Sequence, residues 1–200
     1  MTDYFALLDE PRRPWLDAES LKKQFFTLSA QVHPDRVHQA HEAERNSADQ
    51  RYKELNAAFN CLREPRDRLR HLLELERGVK PAELQSIPEE LAELGMKVGQ
   101  ICRDADEFIV GLSNVASPLL RAQKFEETQG LLERLLDLQK TVARNQARAI
   151  GHVQAIDEAW AKTPVNHGAI LHELEGLYRI LGFFLRWSGQ IQEQIVRLAF

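Results

Sequence analysis

The sequence predicts an all-α protein built from an N-terminal helical domain and a C-terminal helical bundle. Apolar residues recur every three to four positions through nearly the whole chain, and no segment alternates apolar and polar residues as a β-strand does. Prolines and glycines stand where this helical pattern breaks, as at Pro34, Pro65 and Gly78. The 200 residues, of which 44% are hydrophobic, are enough for a packed core.

The first predicted elements are a short helix in "DYFALL" and a longer amphipathic helix in "DAESLKKQFFTLSAQV" (17–32). Asp17 is the expected N-cap of the longer helix, because a short acidic side chain accepts hydrogen bonds from free backbone N–H groups. Proline disfavours helical geometry in the residue before it, so Pro34 ends this helix near His33. The helix has one apolar stripe, formed by Leu21, Phe25, Leu28 and Val32.

The second long helix is predicted in "ERNSADQRYKELNAAFNCLRE" (44–64), and Pro65 interrupts it. A short helix in "RDRLRHLLELERG" follows and ends at Gly78. The two long helices would pack as an antiparallel hairpin. The apolar face of the second is formed by Ala48, Tyr52, Leu55, Phe59 and Leu62.

The clearest boundary is "GVKPAELQSIPEE" (78–90), which holds two prolines and a glycine. Three amphipathic helices joined by short turns follow it, a pattern typical of a three-helix bundle. We therefore predict an N-terminal domain over residues 1–76, a linker over 77–88 and a bundle over 89–200.

Composition narrows the functional classes. The net charge of −4 and the pI near 6.0 do not favour binding to nucleic acid or to an acidic membrane. Cys61 and Cys102 are far apart, which argues against a disulfide framework and fits a reducing compartment. No signal peptide is visible, and the apolar run "ILGFFL" (180–185) is too short to cross a bilayer. The sequence thus predicts a soluble, cytoplasmic protein, and we assign it no cofactor.

The segment "SAQVHPDRVHQ" (29–39) carries the unusual chemistry. Catalysis is disfavoured, because His33 and Asp35 flank a proline and cannot easily orient one another. A metal site formed by His33, His38 and His41 with Asp35 remains an alternative, although no helical i, i+4 spacing holds these histidines. The third possibility is a docking surface for a protein, since Pro34 makes the polar loop stiff and cations stand next to it.

The arrangement of "LKKQFFTLSAQVHPDR" before "YKELNAAFNCLREPRDRLRHLL" resembles the J-domain, whose hallmark is His-Pro-Asp between two antiparallel helices. The beginning "DYFALL" and the helical C-terminal part narrow the resemblance to the HscB family, the J-domain co-chaperones of iron–sulfur cluster assembly. This resemblance implies a non-enzymatic protein that stimulates the ATPase of an HscA/DnaK-type chaperone. It assigns chaperone binding to His33, Pro34, Asp35, Lys22, Lys23 and Arg36.

The resemblance also implies that the bundle binds an IscU-type scaffold through an apolar patch on its first helix, with help from an aromatic or apolar residue on its last. The matching residues are Leu91, Leu94 and Met96, with Tyr178 and Phe183 as the aromatic candidates. The sequence departs from the family at Ala92 and Gly95, where larger apolar residues are usual.

Phe26 is a second departure, because general J-domains carry a basic residue there. We expect its ring to pack inside the molecule, since large exposed aromatic side chains are uncommon unless they bind something. An alternative function also remains open: a J-domain adaptor for a different client, with the bundle as a dimerisation or other interaction module.

Overall fold

The computed structural model describes residues 2–32, 41–82, 86–112, 118–162 and 168–199, except for the side chains of 112 and 118–123. Within these ranges every regular element is helical, so the predicted all-α class is confirmed. The α-helices are α1 (Tyr4–Leu7), α2 (Ala18–Gln31), α3 (Glu42–Arg63), α4 (Pro65–Arg77), α5 (Ala92–Leu112), α6 (Pro118–Lys162) and α7 (Gly168–Ala199), and a 3-10 turn (Glu89–Leu91) precedes α5.

The chain forms two compact units that differ from a simple division along the sequence. Unit 1 consists of Met1–Ala82 together with Ile150–Tyr178, and unit 2 consists of Glu83–Ala149 together with Arg179–Phe200. Helices α6 and α7 therefore each contribute residues to both units. The domain boundaries drawn from the sequence remain a prediction.

Local signals set the helix ends in unit 1. The carboxylate of Asp3 caps α1 by accepting the backbone N–H of Phe5 at 3.0 Å. The carboxylate of Asp17 caps α2 by accepting the N–H of Ser20 at 2.8 Å, which confirms the predicted cap. Gly78 follows α4 with φ of 73°, a left-handed conformation that glycine adopts without steric cost.

Helix α3 is the centre of the N-terminal part of unit 1, because α1, α2 and α4 all pack against it. A histidine links α1 to α4: the backbone N–H of Tyr4 donates to Nε2 of His71 at 3.0 Å, and the two rings stack with centroids 4.6 Å apart. Burial lowers the pKa of the His71 imidazole from its ordinary value of 6.5. The fully buried leucines of this core are Leu8, Leu21, Leu55, Leu62, Leu69, Leu72 and Leu73.

Two buried charged groups hold the segment between α1 and α2. Asp157 accepts Nε of Arg13 at 2.9 Å and the backbone N–H of Trp15 at 3.2 Å, and Nη2 of Arg13 donates to its second oxygen. Arg68 donates Nε to the carbonyl of Pro14 at 2.8 Å and Nη1 to the carbonyl of Leu62 at 2.7 Å. Burial lowers the pKa of the Arg68 guanidinium to about 10.

The part of unit 1 that comes from α6 and α7 makes further polar contacts with the N-terminal residues. Trp160 donates its indole N–H to the carbonyl of Arg12 at 3.0 Å, and Arg77 pairs with Glu175. Residues about 100 to 150 positions apart in the sequence therefore stabilise one compact unit.

Unit 2 consists of α5 and of the parts of α6 and α7 that lie in it. Hydrogen bonds join all three: Arg134 to Asp104 at 2.8 Å, Gln194 to Asp106 at 3.1 Å, and Gln139 to Gln192 at 2.9 Å. No helix in the described part of the chain is long and apolar enough to cross a membrane. The buried apolar residues include Leu91, Val98, Ala105, Leu131, Leu135, Leu138, Val142, Phe184, Trp187 and Ile191.

Candidate functional sites

The first candidate site is the solvent face of α2, which leads to the His-Pro-Asp segment. Lys22 and Lys23 are exposed on this face, whereas Leu21 and Phe25 on the opposite face are buried. The helix ends at Gln31, close to the predicted position. His33, Pro34, Asp35 and Arg36 lie outside the described residues, so their role in chaperone binding remains a prediction.

Beneath this face an aromatic pair joins α2 to α3. The rings of Phe25 and Phe59 stack with centroids 4.4 Å apart, and Arg63 lies over the outer side of Phe59 at 5.8 Å from its centroid. Stacked aromatic rings in a core combine a large apolar contact with a preferred geometry. The pair therefore fixes α2 against α3 and gives the exposed lysines a rigid support.

The two lysines of this face hold their positive charges at the surface of the helix. Neither Lys22 nor Lys23 forms an ion pair with any residue in the described ranges. Glu19 is exposed one turn earlier, and Thr27 donates its hydroxyl to the carbonyl of Lys23 at 2.9 Å. Two ammonium groups are thus available to an acidic partner.

The metal alternative rests mostly on residues outside the described ranges. His41 is described: it is exposed and takes the N-cap position of α3 without a side-chain capping bond. His33, Asp35 and His38 lie outside. Among the residues that the structure does describe, no group of three His, Cys, Asp or Glu side chains could hold a metal ion.

Phe26 corrects an expectation from the sequence. We expected its ring to be covered by another part of the chain, but the residue is 57% exposed. Its ring lies beside that of Phe25, with the centroids 5.5 Å apart and the ring planes tilted. Helical geometry explains the difference: Phe25 is on the buried stripe, so the next residue, about 100° around the helix, points elsewhere.

The second candidate site is the start of α5 in unit 2. Leu91 is buried, Leu94 is half-buried and Met96 is 68% exposed. Phe183 in α7 is buried, stacked under Arg186 at 4.5 Å and tilted against Trp187 at 5.6 Å. Of these four predicted scaffold-binding residues, Met96 and part of Leu94 are on the surface.

Tyr178, the other aromatic candidate, belongs to unit 1 and is almost fully buried. The guanidinium of Arg66 lies 4.8 Å from its ring centroid and donates to its hydroxyl at 3.3 Å. The ring therefore has a structural partner within its own unit. A role in scaffold binding stays a prediction for Leu91, Tyr178 and Phe183, whose side chains are buried in this structure.

A groove of about 470 Å³ runs between α5 and α6 in unit 2. The sequence periodicity predicts Ile101 and Leu138 as core, and both also line this groove beside Leu94. Sequence reasoning missed the groove, because it depends on which residues of two helices meet. Its charged and polar rim is formed by Glu90, Glu93, Lys97, Arg134, Asp137, Thr141 and Asn145.

Gly95 is buried, and its neighbours explain the absence of a side chain. A Cβ atom there would lie 2.8 Å from Cδ1 of Ile87 and 3.1 Å from Cζ2 of Trp187. The departure from the larger residue that the resemblance implies therefore lets these two side chains approach the helix backbone.

Sequence reasoning also missed the network of Arg13, Arg68 and Asp157. Charged residues usually lie on the surface, and no periodic pattern marks these three as buried or paired. The signal that could have drawn attention to the segment is its composition, "PRRPW" (11–15), where two prolines and a tryptophan surround two arginines.

The N-terminal part of the chain matches known proteins in sequence. The family model of the DnaJ domain matches residues 3–71. "Co-chaperone protein HscB homolog" of Bordetella petrii is 42% identical over 72 residues, which are 36% of this chain and 42% of that protein. The protein of the same name from Paraburkholderia phymatum is 40% identical over 76 residues, covering 38% of this chain and 43% of that protein. The matched segments thus span less than half of the curated relatives.

Similarity in fold extends over nearly the whole chain. "Chaperone HscB from Vibrio cholerae" matches with a TM-score of 0.63 and 21% identity, covering 96% of both chains. Human co-chaperone protein HscB matches with a TM-score of 0.58 and 20% identity, covering 98% of this chain and 81% of that one. The resemblance to the HscB family is therefore confirmed: residues 3–71 match the DnaJ domain, the sequence relatives are HscB homologues and the fold is like that of the two solved HscB structures.

Proposed function

We propose that this chain, with its DnaJ domain over residues 3–71, is a co-chaperone of an Hsp70-type ATPase and acts in iron–sulfur cluster assembly. The observation that carries the proposal is the match to the DnaJ domain, together with relatives and solved structures that bear the name HscB. In the finer proposal the chaperone is of the HscA/DnaK type. ATP hydrolysis takes place in that partner, and this chain supplies only binding surfaces.

The chaperone-binding surface would combine the solvent face of α2 with the segment that follows it. Lys22 and Lys23 are exposed, unpaired within the described residues and held on a helix whose other face is fixed by Phe25. Cations on a rigid support accelerate the encounter with an acidic surface and set its orientation. Asp35 could accept charge-assisted hydrogen bonds from an arginine of the chaperone.

Single-turnover ATP hydrolysis by an HscA-type chaperone tests this role, using the full chain as the added component. We expect the His33→Gln variant to lose stimulation while its melting temperature stays nearly unchanged, because the sequence predicts a polar loop there and loop side chains contribute little to stability. The matched control is His41→Gln, an exposed histidine at the end of the same segment, which should retain stimulation. Full stimulation by His33→Gln would contradict the proposal.

We further propose that the surface of unit 2 binds an IscU-type scaffold and delivers it to the chaperone. The exposed thioether of Met96 and the half-buried Leu94 at the α5/α6 groove support this proposal. Methionine is unbranched and adaptable, so it suits an apolar surface that a partner must cover. A chain that holds scaffold and chaperone together raises the effective concentration of one near the other.

Titration of the scaffold with the full chain tests the delivery surface. We expect Met96→Ser to weaken binding, whereas Val110→Ser, at a position in the same helix that is equally exposed at 68%, should not. Binding that is unchanged in Met96→Ser and in Leu94→Ser would remove the α5 surface from the proposal. If the folded wild-type chain binds no scaffold, the alternative of an adaptor for a different client takes its place.

A further inference from the structure

Phe26 is an aromatic side chain that lies mostly on the surface of α2. Phe25 packs between α2 and α3 by stacking on Phe59, whereas Phe26 lies beside Phe25 with the two ring centroids 5.5 Å apart. With 57% of its surface exposed, the ring gains little from burial in the free protein. Exposed large apolar side chains with polar surroundings are typical of contact surfaces.

The surroundings of Phe26 are basic. Lys23 and Lys22 precede it by three and four residues, a spacing that places all three side chains on one face of the helix. A shallow depression of about 460 Å³ is lined by these residues together with Glu19 and Thr27. Because the whole chain carries a net charge of −4, two lysines without ion-pair partners in the described residues make this face a local exception.

We propose that Phe26 is an apolar anchor that inserts into a pocket on the ATPase chaperone, with Lys22 and Lys23 paired to carboxylates at the edge of that pocket. This inference rests on the proposed function and deepens it by adding an apolar contact to a surface otherwise described by its charges. An aromatic ring enclosed by charged contacts has the composition of a binding hot spot, in which a central ring is sealed from water by its neighbours.

The charges around Phe26 favour a protein partner over a lipid surface. An anionic membrane would attract Lys22 and Lys23, but it would repel the carboxylate of Glu19 on the same face. A protein surface can place acidic groups opposite the lysines and leave the carboxylate in water. The partner of this face is therefore a chaperone surface that has an apolar pocket with carboxylates at its edge.

The test compares the full chain with its Phe26→Ala variant in chaperone-stimulated ATP hydrolysis. We expect the concentration for half-maximal stimulation to rise about 10- to 100-fold, the usual loss when a central aromatic anchor is truncated. Stimulation at saturation should persist, because the His-Pro-Asp segment is unchanged. Phe26→Leu should recover most of the affinity, since it keeps an apolar side chain of similar size.

The matched control is Phe125→Ala in unit 2, which removes an aromatic ring that is 63% exposed. This variant should leave the half-maximal concentration unchanged. Measurements at several salt concentrations should distinguish the contribution of the lysines from that of the ring. In the double variant Lys22→Gln, Lys23→Gln the half-maximal concentration should depend less on ionic strength than in wild type, whereas Phe26→Ala should keep the wild-type dependence.

The outcomes distinguish this inference from the proposed function. If wild type stimulates, His33→Gln does not, and Phe26→Ala matches wild type, the anchor is wrong and the co-chaperone role stands. If wild type itself fails to stimulate, the proposed function fails. Sedimentation that shows a dimer lost in Phe26→Ala would assign the ring to a second copy, and ring-dependent binding to phosphatidylserine vesicles would assign it to a membrane; either result overturns the proposal.

Discussion

Asp157 binds Arg13 through two parallel hydrogen bonds, although 144 positions separate the two residues in the sequence. The carboxylate is nearly inaccessible to solvent, whereas the guanidinium is about one-third exposed. The same carboxylate accepts the N–H of Trp15 at 3.2 Å. One buried group thus satisfies a charged side chain and a backbone donor of the segment that leads into α2.

The first prediction follows from this pair. Asp157→Ala leaves Arg13 and the Trp15 N–H without their acceptor, and we expect a loss of about 2–3 kcal/mol in the free energy of unfolding, measured in urea. Asp104→Ala is the control, because Asp104 pairs with Arg134 on the surface of unit 2. Exposed pairs contribute about 0–1 kcal/mol. Equal losses in both variants would contradict the importance of burial.

The second prediction concerns the aromatic pair beneath the candidate chaperone site. Phe25→Ala should reduce the free energy of unfolding by about 3–5 kcal/mol, because it removes the ring stacked on Phe59 and leaves a cavity. Phe26→Ala, the adjacent change, should shift it by no more than about 0.5 kcal/mol. A small effect of Phe25→Ala on the melting curve would show that the ring is not part of the core.

The third prediction is a dependence of stability on pH. Burial lowers the pKa of folded His71, so the unfolded chain takes up a proton at a higher pH than the folded chain does. The stability contributed by the neutral ring is complete above about pH 6.5 and is lost as the pH falls below that value. Protonation would also remove the lone pair that accepts the Tyr4 N–H.

Urea unfolding at pH 7.5, 6.5 and 5.5 measures this loss. We expect His71→Gln to flatten the decline toward low pH, because glutamine does not titrate. His152→Gln is the control, since His152 is exposed and its Nε2 lies 2.9 Å from a carboxylate oxygen of Glu173. It should keep the decline. The carboxylates of Asp3 and Glu74 oppose the effect of burial on His71, and the guanidinium groups of Arg70 and Arg12 add to it.

The fourth prediction compares two helical glycines in unit 2. Gly130→Ala should stabilise by up to ~1 kcal/mol, because alanine favours the helix and nothing lies within 4 Å of the added carbon. Gly95→Ala should instead destabilise by roughly 1 kcal/mol, since crowding against Ile87 and Trp187 outweighs that gain. Adding Ile87→Ala should reduce the penalty. Stabilisation by Gly95→Ala would show that the two side chains move freely.

The elements that the sequence predicted correctly are those with local causes. The Asp17 cap, the end of α4 at Gly78 and the burial of Phe25 follow from propensity and spacing within a few residues. The expectation for Phe26 was wrong because it relied on a general tendency and not on the direction of the side chain. Burial of Tyr178 against Arg66 depends on residues 112 positions apart, which periodicity does not relate.

The candidate sites likewise contain features that the local sequence predicts and features that depend on packing between helices. The His-Pro-Asp motif and the two lysines can be found in the sequence, because they are close together along the chain. The α5/α6 groove and the packing around Gly95 depend on how separate helices meet, and only the structure shows them. The sequence periodicity placed Leu91 on the apolar face of a helix but did not tell whether that face packs in the core or binds a partner.

The discontinuity of unit 1 sets an order of events during synthesis. The DnaJ domain emerges from the ribosome first, yet the residues that complete its unit, Ile150–Tyr178, emerge much later. Because synthesis proceeds at about 5–20 residues per second, Asp157 is added to the chain roughly 7–30 s after Arg13. During that interval the segment before α2 lacks its buried acceptor, so the nascent N-terminal helices lack the contacts that finally hold them.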